Sequence, residues 1–333
     1  MTGKHAAWVD DSGMNCSTII VGKKASATGR VLVAHNEDDP NCFVQSHLVP
    51  RAVHAPGETL TFADGTAVIP QVEETLGYYW SEFRALHGEP FADAFLNECG
   101  VLVVSNGCVG SKVPEDGSVT GGIGYGLRHL IAQRAHTARE GVEVAAALLE
   151  KFGYYSARSY QICDKEEGWV LQVTTGHNFV ARRVGDDEVY YIWYTIHEVD
   201  FSDTQHKNFY WSKDLVNYPM SHGWYTPAKG GDFSDFDFAA VYQSGGFDIP
   251  SNQWRSDLAW RQLTGAPLPH RTFSVKATKV YGMEELKAIL RSHYDGHEED
   301  LKTDPAMSPH RYGICRDTTV ESLVVEFADD PAL

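Results

Sequence analysis

Two β-rich apolar segments, STIIV and RVLVAHNED, flank the polar connection GKKASATG between Ser17 and Asp38, which is the pattern of a hairpin. Such a hairpin brings the chain back to where it began, so Cys16 is expected beside the end of the second strand, near His35 and Asp38. Residues 66–80 and 96–106 read as further strands, the second carrying Gly100 as a place for a bulge or a close approach. From Gly124 the period changes, because Leu127, Leu130 and Ile131 recur at helical spacing. Thr137 then opens TARE, a capping box in which the Thr oxygen and the Glu140 carboxylate satisfy free amides of a helix running through VEVAAALLEKF to a stop at Gly153. Strand patterns return at 159–164, 168–174, 179–184 and 188–196. The Gly- and Asp-rich stretch 228–236 predicts a long surface loop, and MEELKAILRSHY predicts an amphipathic helix ending near Gly296. Strands, then two helices, then strands again describe an α+β chain rather than an alternating parallel fold.

Composition narrows the classes of partner. A chain of 333 residues with 43% hydrophobic content can bury a large core, as one large domain or two closely joined ones. Its formal charge of −17, from 28 basic against 45 acidic residues, argues against nucleic acid, since polyanion binding draws on clustered Lys and Arg. Residues 1–15 hold no apolar run of the kind a secretory signal needs. No later stretch approaches the roughly 20 uninterrupted apolar residues of a membrane helix, so no membrane partner is expected. Six scattered cysteines without a CxxC pair fit a reducing compartment, and the expected location is the cytoplasm.

The segment CSTIIVGKKAS, followed by GRVLVAHNEDD, closely resembles the opening of the cysteine dipeptidase family of N-terminal-nucleophile (Ntn) hydrolases, a group that also contains the secernins. Further similar segments follow in order: LNECGV, RHLIAQRAHTAREGVEVAAALLEKFG, DKEEGWVLQV, FVARRVGDDEV, FDFAAVY and FSVKATKVYGMEELKAILRSHYDG. The resemblance runs from Cys16 to about residue 325 and implies a four-layer αββα sandwich. It also implies that residues 1–15 are a propeptide or N-terminal extension, and that 16–333 form the hydrolase domain, with Cys16 as the mature first residue. The implied activity is hydrolysis of dipeptides or other small amides, with no cofactor and no metal. The alternatives are an acylase or acyltransferase of the same fold on N-acyl substrates, and a catalytically silent small-molecule-binding relative. The partner is a small peptide or amide, and a homo-oligomer is possible.

The chemistry of an exposed Cys16 is coherent. A thiol of reference pKa about 8.5 and a terminal amine of about 8 can trade a proton, so one residue supplies nucleophile and base. Asp38 matches the family position whose carboxylate helps to hold that amine; read locally, the alternative is a turn-capping Asp after a strand. Where relatives carry Arg, this chain has His35, with a reference pKa of about 6.5, so a weaker and pH-dependent field on the thiol is expected. Asn106 is the candidate oxyanion donor, although Asn106-Gly107 also reads as a turn. The resemblance leads to a second Asn before Ile196, yet Trp193 and Tyr194 occupy that neighbourhood, and with His35 they are assigned to substrate binding. Asn97 is expected to shape the bend before Gly100.

Other clusters read as structural. His293, His297 and Glu298 have ligand-like spacing, but Gly296 breaks the helix between them. Asp232, Asp235 and Asp237 lack a calcium-loop pattern. Arg128 and Arg182 suit either a substrate carboxylate or ordinary ion pairs.

Overall fold

The first hairpin forms as its pattern predicts: β1 (Ser17–Val21) pairs antiparallel with β2 (Leu32–Asp38), setting Thr18 opposite His35 and Ser17 opposite Asn36. The computed structural model describes residues 16–39, 42–62, 65–85, 91–107, 111–113, 122–192, 196–228, 231–244, 250–293, 313–316 and 318–331. After the hairpin come β3 (Cys42–Val49), the short strands β4 (Ala52–Val53), β5 (Thr59–Leu60), β6 (Ile69–Pro70) and β7 (Glu74–Thr75), and then β8 (Tyr78–Ala85), β9 (Phe91–Asn97) and β10 (Leu102–Gly107). Two helices follow, α1 (Leu127–Arg134) and α2 (Ala138–Phe152). The chain returns to strand in β11 (Arg158–Cys163), β12 (Gly168–Val173), β13 (Phe179–Val184), β14 (Glu188–Tyr191) and β15 (Phe209–Trp211). Short helices α3 (Asn217–Ser221) and α4 (Phe238–Tyr242) lead to α5 (Pro250–Thr264), β16 (Ser274–Lys276), α6 (Met283–Leu290) and β17 (Thr319–Glu326).

Two antiparallel sheets carry the fold. One has the order β16-β14-β1-β2-β17, and the other β15-β13-β12-β11-β10-β9-β8-β3. Alternation along the strands assigns each side chain to a layer. Ile20 and Val33 point between the sheets and pack with Leu102, Val104, Val170 and Val180. Ile19, Val21, Leu32 and Ala34 point the other way, against Leu258 of α5 and Leu286 of α6. Val101, Val103, Tyr160 and Ile162 meet Leu130, Val142 and Leu149 of α1 and α2 on the far face of the larger sheet. The layers are therefore helix, sheet, sheet, helix, an α+β sandwich of the αββα kind. The sheets approach closely at Gly168, where an added Cβ would stand 2.6 Å from Ile20 Cγ2.

Thr137 caps α2 by accepting from the Glu140 amide at 3.1 Å, and Gly153 ends it at φ 73°. The Glu140 carboxylate takes the His136 amide, one residue earlier than a capping box requires. Two strand expectations need correction. Residues 66–80 form two short ribbon strands and the start of β8, because Pro70 has no amide to continue a ladder. Residues 96–106 contain the end of β9, a tight turn and β10: Gly100 adopts φ 79°, and Asn97 Oδ1 accepts from the amides of Cys99 and Val101. Asn97 therefore does shape the bend, and its Nδ2 also binds the carbonyls of Ala132 and Ala135 at the end of α1. The predicted late helix stops at Leu290, short of Gly296, which lies outside the described residues together with His297 and Glu298. Among the described residues, no helix is long and apolar enough to cross a membrane.

Candidate active site

Cys16 immediately precedes β1 and is buried, 4% exposed. The β1–β2 register continues outward from the Ser17–Asn36 pair, so Cys16 stands across from Glu37 at the same end of the sheet. The backbone amide of Asp38 donates to its sulfur. Burial, followed by the charges of Glu37, Asp38 and Asp93, pushes the thiol well above its ordinary range. The hairpin thus brings Cys16 and Asp38 together.

On the inter-sheet face of β2, His35 is fully buried and both of its ring nitrogens meet protein groups. Nδ1 lies 2.7 Å from Thr18 Oγ1, which in turn donates to Asn106 Oδ1 at 2.8 Å. Nε2 lies 2.8 Å from Asp93 Oδ2 and 3.5 Å from Glu37 Oε2, all three residues being no more than 1% exposed. Asn106 sits inside β10, paired with Ser159, so it is a strand residue and not a turn. Its Nδ2 is buried with no hydrogen-bond partner among the described residues, leaving one amide donor free.

These groups hold a tight charge balance. Burial alone would lower the His35 pKa, but Asp93, then Glu37, outweigh it and push it up to about 10. The ordinary pKa from which a weaker, pH-dependent field was expected does not hold for His35, because Asp93 and Glu37 close on the ring, which the sequence does not show. Burial and the Asp93 charge push Glu37 up, against the pull of His35. Asp93 stays low despite its burial because His35 and Arg128 face it. Arg128 Nη1 donates to the Asp93 carbonyl at 3.1 Å and to Ser105 Oγ at 2.8 Å, with Asp93 Oδ1 at 3.3 Å. Arg158 also donates to Ser105 Oγ at 2.8 Å and lies over the Tyr125 ring. Arg128 is thus an ion-pair partner in the buried cluster. Arg182 lies over the rings of Phe209 and Phe273.

The opposite face of β2 serves a second set of contacts. Asp38 Oδ1 accepts from Thr319 Oγ1 at 2.5 Å, and Oδ2 faces Arg255 Nη1 at 3.4 Å and Arg316 Nη1 at 3.9 Å. Burial still leaves Asp38 raised against the two guanidiniums. Asn36 is tied to the carbonyls of Leu290 and Ile314. Trp193 and Tyr194 lie outside the described residues. The acidic positions of the long loop act locally: Asp237 caps α4 and pairs with His197, Asp235 accepts from Tyr225, and Asp232 from Ser234.

Sequence reasoning missed Thr18, Glu37, Asp93, Arg158, Arg255 and Arg316. The one available signal was alternation in β2, which sends His35 and Glu37 to the face of Val33. Among the described residues, one group sets three possible metal donors within 4.8 Å of one another: His35, Glu37 and Asp93. In this group His35 already touches Asp93 Oδ2, and Arg128 stands at the other Asp93 oxygen, so groups of the chain itself face both Asp93 oxygens.

A cysteine at the head of a central strand of an inner sheet, within an αββα sandwich, has the architecture of the N-terminal-nucleophile hydrolase class. The chain belongs to peptidase family C69, whose description matches residues 15–325. It is 24% identical over 307 residues to a probable dipeptidase of Latilactobacillus sakei, covering 86% of this chain and 62% of that protein. It is 26% identical over 298 residues to a probable dipeptidase of Salmonella dublin, covering 86% and 68%. A solved penicillin V acylase from Agrobacterium tumefaciens aligns with TM-score 0.34 and 15% identity over 50% of this chain and 49% of that one.

Proposed function

We propose that this protein hydrolyses dipeptides or similar small amides, using Cys16 as nucleophile once residues 1–15 have been removed. The observation that supports the reading is the position of Cys16: it heads β1, with the Asp38 amide on its sulfur and the His35–Thr18–Asn106 chain beginning two residues further along. In the uncut chain the sulfur is a neutral thiol, because burial and three carboxylates oppose its ionisation. Freeing the α-amine supplies a base at the same residue. The thiolate adds to the amide carbonyl, the C–N bond breaks as the ammonium protonates the leaving amine, and water releases the acid from the thioester. The free Nδ2 of Asn106 is the donor assigned to the oxyanion. Family membership and relatives named dipeptidases favour peptide bonds as substrate.

The test combines mass spectrometry of purified protein with turnover of a dipeptide panel and a set of N-acyl amino acids. Expected are an N-terminus at Cys16, dipeptide cleavage, and a loss of at least about a thousandfold in Cys16→Ala. Full activity with residue 1 intact, or in Cys16→Ala, overturns the proposal. Preference for N-acyl amino acids moves the substrate class while leaving the nucleophile in place.

A further inference from the structure

We infer that His35 is held as a doubly protonated imidazolium, a buried fixed cation on the inter-sheet face of β2. Proton bookkeeping carries the argument. Asn106 Oδ1 can only accept, so the single hydroxyl proton of Thr18 goes to it. Thr18 Oγ1 must then accept from His35, which places a proton on Nδ1. Nε2 faces Asp93 Oδ2 at 2.8 Å and Glu37 Oε2 at 3.5 Å, and a bare lone pair there would be repelled by the ionised Asp93. Nε2 therefore carries a proton as well. The Nε2–Asp93 contact lies off the line of a hydrogen bond, which weakens a neutral contact far more than an attraction between charges.

Acceptors and carboxyls on the neighbouring strands favour a positive ring, and two guanidiniums oppose it. β1 contributes Thr18, β2 Glu37, β9 Asp93 and β10 Asn106. Arg128 of α1 acts through Asp93, and Arg158 of β11 through Glu37. Glu321 of β17 adds a further carboxyl that feels both Asp93 and His35. The consequence for catalysis rests on the reading of Cys16 as nucleophile: the imidazolium offsets the carboxylates that oppose the thiolate. His35 acts here as a positioning residue, through field and geometry.

The experiment reads the ring directly. Protein labelled with 15N-histidine is followed by NMR from pH 6 to 9, and the His35 signals are assigned by their loss in His35→Gln. Expected are two protonated ring nitrogens with no titration across that range, and a signal that turns neutral near pH 7 in Asp93→Asn. Alkylation of Cys16 on processed protein gives the second readout: about tenfold slower at pH 7 in His35→Gln, and restored in His35→Arg. A ring with a single proton at pH 7 overturns the inference, as the reversed chain from Asn106 Nδ2 through Thr18 to Nδ1 would give. So does a divalent metal found at one per chain by elemental analysis. Neither outcome bears on Cys16→Ala, whose retained activity would defeat the nucleophile and leave the charge of His35 standing.

Discussion

The Asp38 amide donates to the sulfur of Cys16, so the last residue of β2 closes on the residue that precedes β1. That contact stabilises a thiolate, whereas burial and the carboxylates of Glu37, Asp38 and Asp93 oppose it, and the opposing set wins in the uncut chain. Iodoacetamide at pH 8 is therefore expected to label Cys16 at least about tenfold more slowly before removal of residues 1–15 than after it. Peptide mass spectrometry, with the partly exposed Cys99 as internal reference, measures both rates. Equal rates in the two forms would show that the α-amine does not activate the sulfur.

Asn106 has one polar atom engaged by Thr18 and one without a partner among the described residues. If the free amide meets the oxyanion, Asn106→Ala lowers kcat by about 10²–10³-fold with little change in KM, the pattern for an interaction made only in the transition state. Steady-state kinetics on one dipeptide decides it. A rise in KM with kcat unchanged would assign Asn106 to ground-state binding.

The His35–Asp93 pair makes folding stability depend on pH. The folded-state pKa of His35, about 10, lies above its ordinary 6.5. Its stabilisation is therefore complete below about 6.5 and is lost as pH rises through about 10. Urea midpoints are expected to fall across that window. Asp93→Asn should cost about 3–5 kcal/mol at pH 6, as for a broken buried pair, and flatten the slope. A slope unchanged by the substitution would place the titration elsewhere.

Much of the frame was legible because apolar periodicity reports burial. The hairpin, β11 to β13, α1 and α2 all follow from it. What escaped was polar burial. In α5, Asn252, Arg255 and Ser256 are buried along with Leu258, Trp260 and Leu263, so polar residues interrupt its apolar pattern, and α5 was not anticipated. Asp93 and Glu37 likewise look like solvent-facing charges until His35 and Arg128 are placed against them. The bend at Asn97–Gly100 was legible in those two residues, but its extent was not: Gly100 at positive φ makes it a turn that separates β9 from β10.

β17 pairs with β2 along its length, and Thr319 hydrogen-bonds Asp38 across 281 positions of sequence. The end of β2 that meets Cys16 is therefore completed by residues 281 positions further along the sequence. During synthesis the first hairpin leaves the ribosome long before its last neighbour exists, so a nascent chain carries the sulfur without the assembled machinery. Timing of this kind makes the reactive centre a late product of folding, and truncation ahead of Thr319 should leave a peptide that is chemically idle.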